Sequence, residues 1–76
     1  MKLTISKIDS ILFSGEAESV TVPGSAGEMT ILSHHMPLIT TLKSGKLLVK
    51  HSGKQEEFPI TSGIVEIGKS ETVILV

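Results

Sequence analysis

The sequence predicts an all-β fold of short strands, of the sandwich or barrel type. Three features carry that expectation. The apolar runs are brief and rich in valine, isoleucine and threonine, turn-forming residues separate them at close intervals, and no stretch of about twelve residues has helical periodicity.

Taken in order, the candidate strands are Lys2 to Lys7, Ile11 to Phe13, Glu18 to Val22, Met29 to Leu32, Lys46 to His51, Glu57 to Thr61, Ile64 to Ile67 and Thr72 to Val76. Val20-Thr21-Val22 and Phe58-Pro59-Ile60 show the two-residue alternation of a strand with one buried side. The expected turns are Ser14-Gly15, Pro23-Gly24-Ser25-Ala26-Gly27, Lys43-Ser44-Gly45, Ser52-Gly53-Lys54, Ser62-Gly63 and Gly68-Lys69-Ser70. Pro59 lies inside a strand candidate but has no N–H for a ladder, so that strand is expected at a sheet edge. Leu47-Leu48-Val49 and Val73-Ile74-Leu75-Val76 are apolar on both sides, which leaves apolar surface for a neighbour or for covering loops.

A chain of 76 residues is expected to form one domain spanning 1–76. At that size it buries only about 60% of the surface of its unfolded chain, so its core is modest. With 39% hydrophobic residues, 20% charged residues and a mean hydropathy of +0.29, the composition is that of a globular domain. Cysteine is absent, which removes disulfides, thiolate metal sites and cysteine nucleophiles. All seven basic residues are lysine, tryptophan and tyrosine are absent, and the net charge is −1. Such a surface offers neither guanidinium forks for phosphate nor stacking platforms, so nucleic acid is not an expected partner. No apolar run approaches the ~18 residues of a membrane span, and the Met1-Lys2-Leu3 start lacks a signal-peptide core. The expectation is a soluble, unprocessed chain without direct membrane insertion.

Gly63-Ile64-Val65-Glu66-Ile67-Gly68-Lys69-Ser70 satisfies the letter of the phosphate-binding P-loop pattern. A working P-loop needs a helix whose N-terminal amides face phosphate, whereas strands are predicted on both sides of Gly68-Lys69-Ser70. A hairpin turn is the reading. His34, His35 and His51 have no ordered ligand spacing to an acid, and neighbouring histidines on extended chain point apart, so no metal is expected. Asp9 is the single aspartate and no Gly-x-Ser-x-Gly occurs, so no catalytic set is recognisable. Glu56-Glu57 and the scattered lysines read as a solvated face.

Phe13-Ser14-Gly15, then Val20 through Leu32 with its Pro23-Gly24-Ser25-Ala26-Gly27-Glu28 centre, then His35-Met36-Pro37-Leu38, occur in an order and spacing that resemble the epsilon subunit of F-type ATP synthases. Leu42-Lys43-Ser44-Gly45, Glu56-Glu57-Phe58, Ser62 through Ile67 and Val73-Ile74-Leu75 continue the match over essentially the whole chain. The resemblance implies a single epsilon-type domain, a flattened antiparallel β-sandwich of short strands. It also implies a non-catalytic part of the central stalk that couples an ion-translocating c-subunit ring to the gamma shaft. By position, Ser25, Gly27 and Glu28 match the family's contact with the membrane ring, and His35, Met36, Pro37, Leu38 and Thr40 match its rotor-contact segment. The implied partners are the gamma subunit and the c-subunit ring. The implied place is the cytoplasmic face of the bacterial plasma membrane, peripherally bound, with no cofactor. Ser33-His34 stands where a Pro-Gly-like pair is usual, Ser62-Gly63 where Gly-Gly is common, and the match is one residue short near Pro59. Longer members continue into a helical hairpin that restrains hydrolysis and in some cases binds ATP. With Val76 as the last residue, neither activity is expected of this sequence.

Two rival readings are an unrelated small β-sandwich module for protein interaction or ligand binding, and a hydrolase using a histidine or metal site. The first would share the turn chemistry by convergence, and the second ranks below it. The hairpin reading of Gly68-Lys69-Ser70 is tested by titrating the protein with ATP and magnesium while following thermal unfolding. No saturable rise in Tm is expected.

Overall fold

Alternation decides which side of each strand is buried. The computed structural model describes residues 1–33 and 36–76. Among these, nine strands follow one another: β1 (Lys2–Lys7), β2 (Ser10–Glu16), β3 (Ser19–Gly24), β4 (Gly27–Leu32), β5 (Leu38–Leu42), β6 (Gly45–His51), β7 (Lys54–Ile60), β8 (Gly63–Ile67) and β9 (Glu71–Leu75). Leu3 and Ile5, Val20 and Val22, Leu47 and Val49, Val65 and Ile67, and Ile74 are buried at two-residue spacing, while the residues between them turn outward. The β-branched valine and isoleucine side chains suit the pleat, and Ser19 and Thr72 are the buried polar residues among those described.

The strands hydrogen-bond in the order β2-β1-β9-β8-β5-β3-β6-β7, with β4 on β3. Most neighbours pair over several residues, but β5 and β3 meet at one pair, Gly24 with Leu42. The path folds at that junction into two layers, β2-β1-β9-β8-β5 and β4-β3-β6-β7. Their inner sides meet in one cluster that includes Leu3, Ile5, Val65 and Ile74 from the first layer and Val20, Ile31, Leu47 and Val49 from the second. At the open side, the Phe13 ring of β2 lies edge-on to His51 of β6, with centroids 5.0 Å apart, and to Phe58 of β7 at 6.4 Å. The expected β-sandwich is therefore present, built by one sheet that folds onto itself.

Several details differ from the sequence reading. β5 was not among the candidate strands. β2 is longer than Ile11 to Phe13, and Ser14-Gly15 lies within it, not in a turn. Its register slips by one residue between Ile5 paired with Phe13 and Ser6 paired with Ile11, which makes Leu12 the extra residue of a β-bulge. Pro23 and Gly24 belong to β3, so only Ser25-Ala26 turns. One pairing is parallel: β1 and β9 run together from Lys2 beside Glu71 to Ser6 beside Leu75, and the Val76 amide extends the ladder by donating to the Ser6 carbonyl at 3.0 Å. Parallel pairing is possible because no tight turn joins these two strands.

Pro59 does sit on an edge. β7 pairs with β6 alone, and seven successive pairs from Gly45 with Ile60 to His51 with Lys54 keep an unbroken register, so the shorter match near Pro59 leaves the ladder intact. Ser52 (φ 51°) and Gly53 (φ 73°) make the two-residue turn between β6 and β7, with the pair of positive φ angles that matches right-handed strand twist. Between β8 and β9 the Gly68 amide donates to the Glu71 carbonyl at 2.8 Å, the hairpin closure expected of Gly68-Lys69-Ser70. Glu56 and Glu57 are not merely solvated: Glu57 lies 3.4 Å from the Lys46 amine and Glu56 2.8 Å from His51 Nε2. Both acids are exposed, which limits each pair to a minor effect on stability.

Adjacent leucines test the register. Leu47 is fully buried and Leu48 faces outward, half-buried. Leu47→Ala should cost about 2–5 kcal/mol. Leu48→Ala should cost roughly 1 kcal/mol or less, as surface substitutions do. Urea midpoints of the two variants provide the check.

Candidate functional site

The region that the sequence singled out is assembled where the two layers join. β3 and β4 form a hairpin from Ser19 opposite Leu32 to Gly24 opposite Gly27, with Ser25-Ala26 at its end. Two constraints shape that end. A Cβ on Gly24 would lie 2.6 Å from the Gly27 carbonyl oxygen, closer than side chains tolerate, so only glycine permits the strands to approach there. Gly27 has φ +138°, which a Cβ disfavours. Glu28 follows on β4 opposite Pro23, with its side chain exposed.

The hairpin end is bound to the other layer. β6 covers β3 only from Ser19 to Thr21, and β5 takes over at Gly24. The Lys43 amide donates to the Pro23 carbonyl at 2.9 Å, and the Ser25 amide donates to the Thr41 carbonyl at 3.0 Å. Pro23 cannot return a donor, so this junction lacks a bond that an ordinary ladder would have. The Ser25 and Thr41 hydroxyls add a contact at 2.7 Å.

β5 continues into the second group of predicted residues. Thr40 is half-buried opposite Val65, on the core side. Leu38 stands opposite Ile67 at the end of the layer and is 41% exposed. Met36 and Pro37 are exposed before the strand, and His35 lies outside the described residues. The fold thus brings Ser25, Gly27 and Glu28 to the strand that carries Leu38 and Thr40. Sequence reasoning passed over Ile39 and Thr41, neighbours on that strand. The signal was present in the β-branched run Ile39-Thr40-Thr41 between Pro37 and the Lys43-Ser44-Gly45 turn.

The outer side of the first layer is the other distinctive surface. Ile64 pairs with Leu75, Leu75 with Ser6, and Ser6 with Ile11, so these side chains share one row. Ile11, Ile64 and Leu75 are exposed along it, and Ile39 projects from the same side of β5. The outer side of the second layer is more polar. Thr21 and Thr30 are hydrogen-bonded there at 3.0 Å, beside Leu48, Lys46, Lys50 and Glu57.

Comparison with known proteins decides the family. The family described as ATP synthase, Delta/Epsilon chain, beta-sandwich domain matches residues 1–76. The chain belongs to this family. An ATP synthase epsilon chain of Dichelobacter nodosus is 43% identical over 68 residues, covering 88% of this chain and 48% of that protein. One from Caulobacter vibrioides is 39% identical over 64 residues, covering 84% and 74%. The chain therefore spans about half the length of the first epsilon relative and three quarters of the second. In a cryo-EM structure of the Euglena gracilis mitochondrial ATP synthase, comprising OSCP, F1 and c-ring, one chain superposes with a TM-score of 0.90 at 25% identity, over 97% of this chain and 48% of that one. The epsilon-type β-sandwich expected from the sequence is thus the fold observed.

The hairpin end can be tested for its dependence on glycine. Gly24→Ala forces a methyl group against the Gly27 carbonyl and should cost about 1–3 kcal/mol, the scale of overpacking. Ala26→Gly in the same turn should change stability by less, as an exposed position without a steric demand. Chemical denaturation of both variants distinguishes a steric need at Gly24 from general sensitivity of the loop.

Proposed function

We propose that this chain acts as a non-catalytic coupling part of the central stalk of a rotary ATP synthase, binding the gamma shaft and the c-subunit ring. The observation that carries this reading is the match in fold, over 97% of the chain, to a subunit of an assembly that contains F1 and c-ring. The arrangement of the surface supports it. Ser25, Gly27 and Glu28 form one projecting end, Met36, Pro37, Leu38 and Thr40 lie along the adjoining strand and its approach, and the Ile11, Ile64 and Leu75 row offers apolar area for a protein neighbour. A part of this kind transmits force through its shape and needs no reactive group. We assign residues 1–76 to one epsilon-type domain, and we place it peripherally on the cytoplasmic face of the bacterial plasma membrane. No helix among the described residues is long and apolar enough to cross a membrane; in this reading attachment runs through the partners.

Glu28 is the residue on which the ring contact is best tested. Its carboxylate is exposed at the hairpin end and contributes little to the core. Reversing its charge should act on binding to polar ring loops and leave folding largely intact. Glu28→Lys is expected to weaken capture of the c-subunit ring at least severalfold, while binding to isolated gamma subunit and the thermal midpoint stay near wild type. Equal losses of ring binding and stability would make Glu28 a structural residue and remove it from the contact.

A further inference from the structure

The end of the β3–β4 hairpin projects beyond the strand that supports its base. β6 pairs with β3 only as far as Thr21 and beyond that meets the hairpin through the packing of Gly45 against the Pro23 ring, so the backbone bonds between the hairpin end and a neighbouring strand run to β5 and the residue after it. That support is thin. Gly24 and Leu42 form the single register pair, Lys43 and Ser25 each donate one backbone bond across the junction, and Pro23 can donate none. Gly24 and Gly27, which flank the turn, have no side chains to resist pivoting. The side chains add one exposed contact across the layers, the 2.7 Å bond between the Ser25 and Thr41 hydroxyls.

We propose that Thr41 is a positioning residue, whose hydroxyl, through Ser25, holds the Ser25 to Glu28 end in the orientation from which it meets the ring. This rests on the coupling role proposed above and adds how the contact is kept in place. In this role Thr41 acts through Ser25 and not by contact with the ring. It makes the hairpin end, which belongs to the second layer, move with β5 and hence with β8, β9 and β1 of the first layer. Load applied at Glu28 then enters the hydrogen-bonded path of the sheet and is not lost in bending of a two-stranded ribbon.

The molecule contains its own control. Thr21 and Thr30 form a hydroxyl pair at 3.0 Å, also exposed, but both belong to the hairpin and tie no layer to another. A synthase depleted of its own epsilon subunit and reconstituted with the full chain would carry Thr41→Val, Ser25→Ala, both together, Thr41→Ser, or Thr30→Val. Affinity for the shaft–ring rotor, ion pumping per ATP hydrolysed, affinity for isolated gamma subunit and thermal midpoint are measured for each.

Thr41→Val is expected to lower affinity for the rotor roughly three- to tenfold, the scale of one hydrogen bond, and to lower pumping per ATP. Thr41→Ser should retain wild-type values, and Thr30→Val should leave coupling unchanged. Because Ser25→Ala also removes a group at the ring contact, the double variant carries the argument: Thr41→Val should have no further effect once Ser25 has lost its hydroxyl. Affinity for isolated gamma should be constant throughout. The inference is overturned if Thr41→Val matches wild type while Glu28→Lys loses the ring, if the two hydroxyl deletions act additively, or if the losses follow the thermal midpoint. An unaltered ring affinity in Glu28→Lys would instead remove the ring contact itself, and with it the role given to Thr41.

Discussion

Strand β3 is shared between the two layers, and the fold depends on that sharing. Along one side it pairs with β4 throughout, and along the other it gives Ser19 to Thr21 to β6 and Gly24 to β5. A strand bound to one partner along its whole length would extend the sheet flat. Division between two partners turns the sheet back on itself, so that the alternating apolar sides of nine short strands face one another. Pro23 stands at the change of partner and Gly24 immediately after it. The proline ends regular donation toward β5, and the glycine allows the backbone of the returning strand to come close.

With so few residues, closure matters more than any one contact. There is no disulfide, and the ion pairs are largely at the surface, so burial of the aliphatic cluster is the main stabilising term. The layers are held at one side by the β3–β5 junction and at the other by the contact of Phe13 with His51 and Phe58. The first and last strands lie together as the parallel pair β1 and β9, which ties both ends of the described chain into the centre of one layer. Fraying from either end therefore has to break a ladder inside the sheet.

The two outer sides have separate characters, and this links stability to function. The threonine, lysine and glutamate residues on the second layer are suited to water, whereas Ile11, Ile64 and Leu75 on the first are an apolar row that the fold does not cover. Such a row is unfavourable for an isolated small protein and suitable for a subunit in an assembly. The hairpin end and β5 meet at the margin of that same layer. In the coupling role proposed above, the hydrogen-bonded sheet would join the surface at the hairpin end to the apolar row.

Much of this was legible in the sequence, because the deciding information is local. Two-residue alternation identified the buried side at Val20-Thr21-Val22 of β3 and Phe58-Pro59-Ile60 of β7, glycine and serine marked most of the turns, Pro59 identified an edge, and the ordered match from Phe13 to Leu75 identified the family. β5 escaped because Thr40 and Thr41 interrupt its apolar run, and its strand character comes from pairing with β8, which is more than twenty residues away. The parallel partnership of β1 with β9, the division of β3 between two partners and the meeting of Ser25 with Thr41 were decided by tertiary structure alone. Each depends on which strand edges come together across long separations in the chain. Alternation specifies which side of a strand is buried, but the backbone groups along its edges are chemically alike and carry no local mark of their partner.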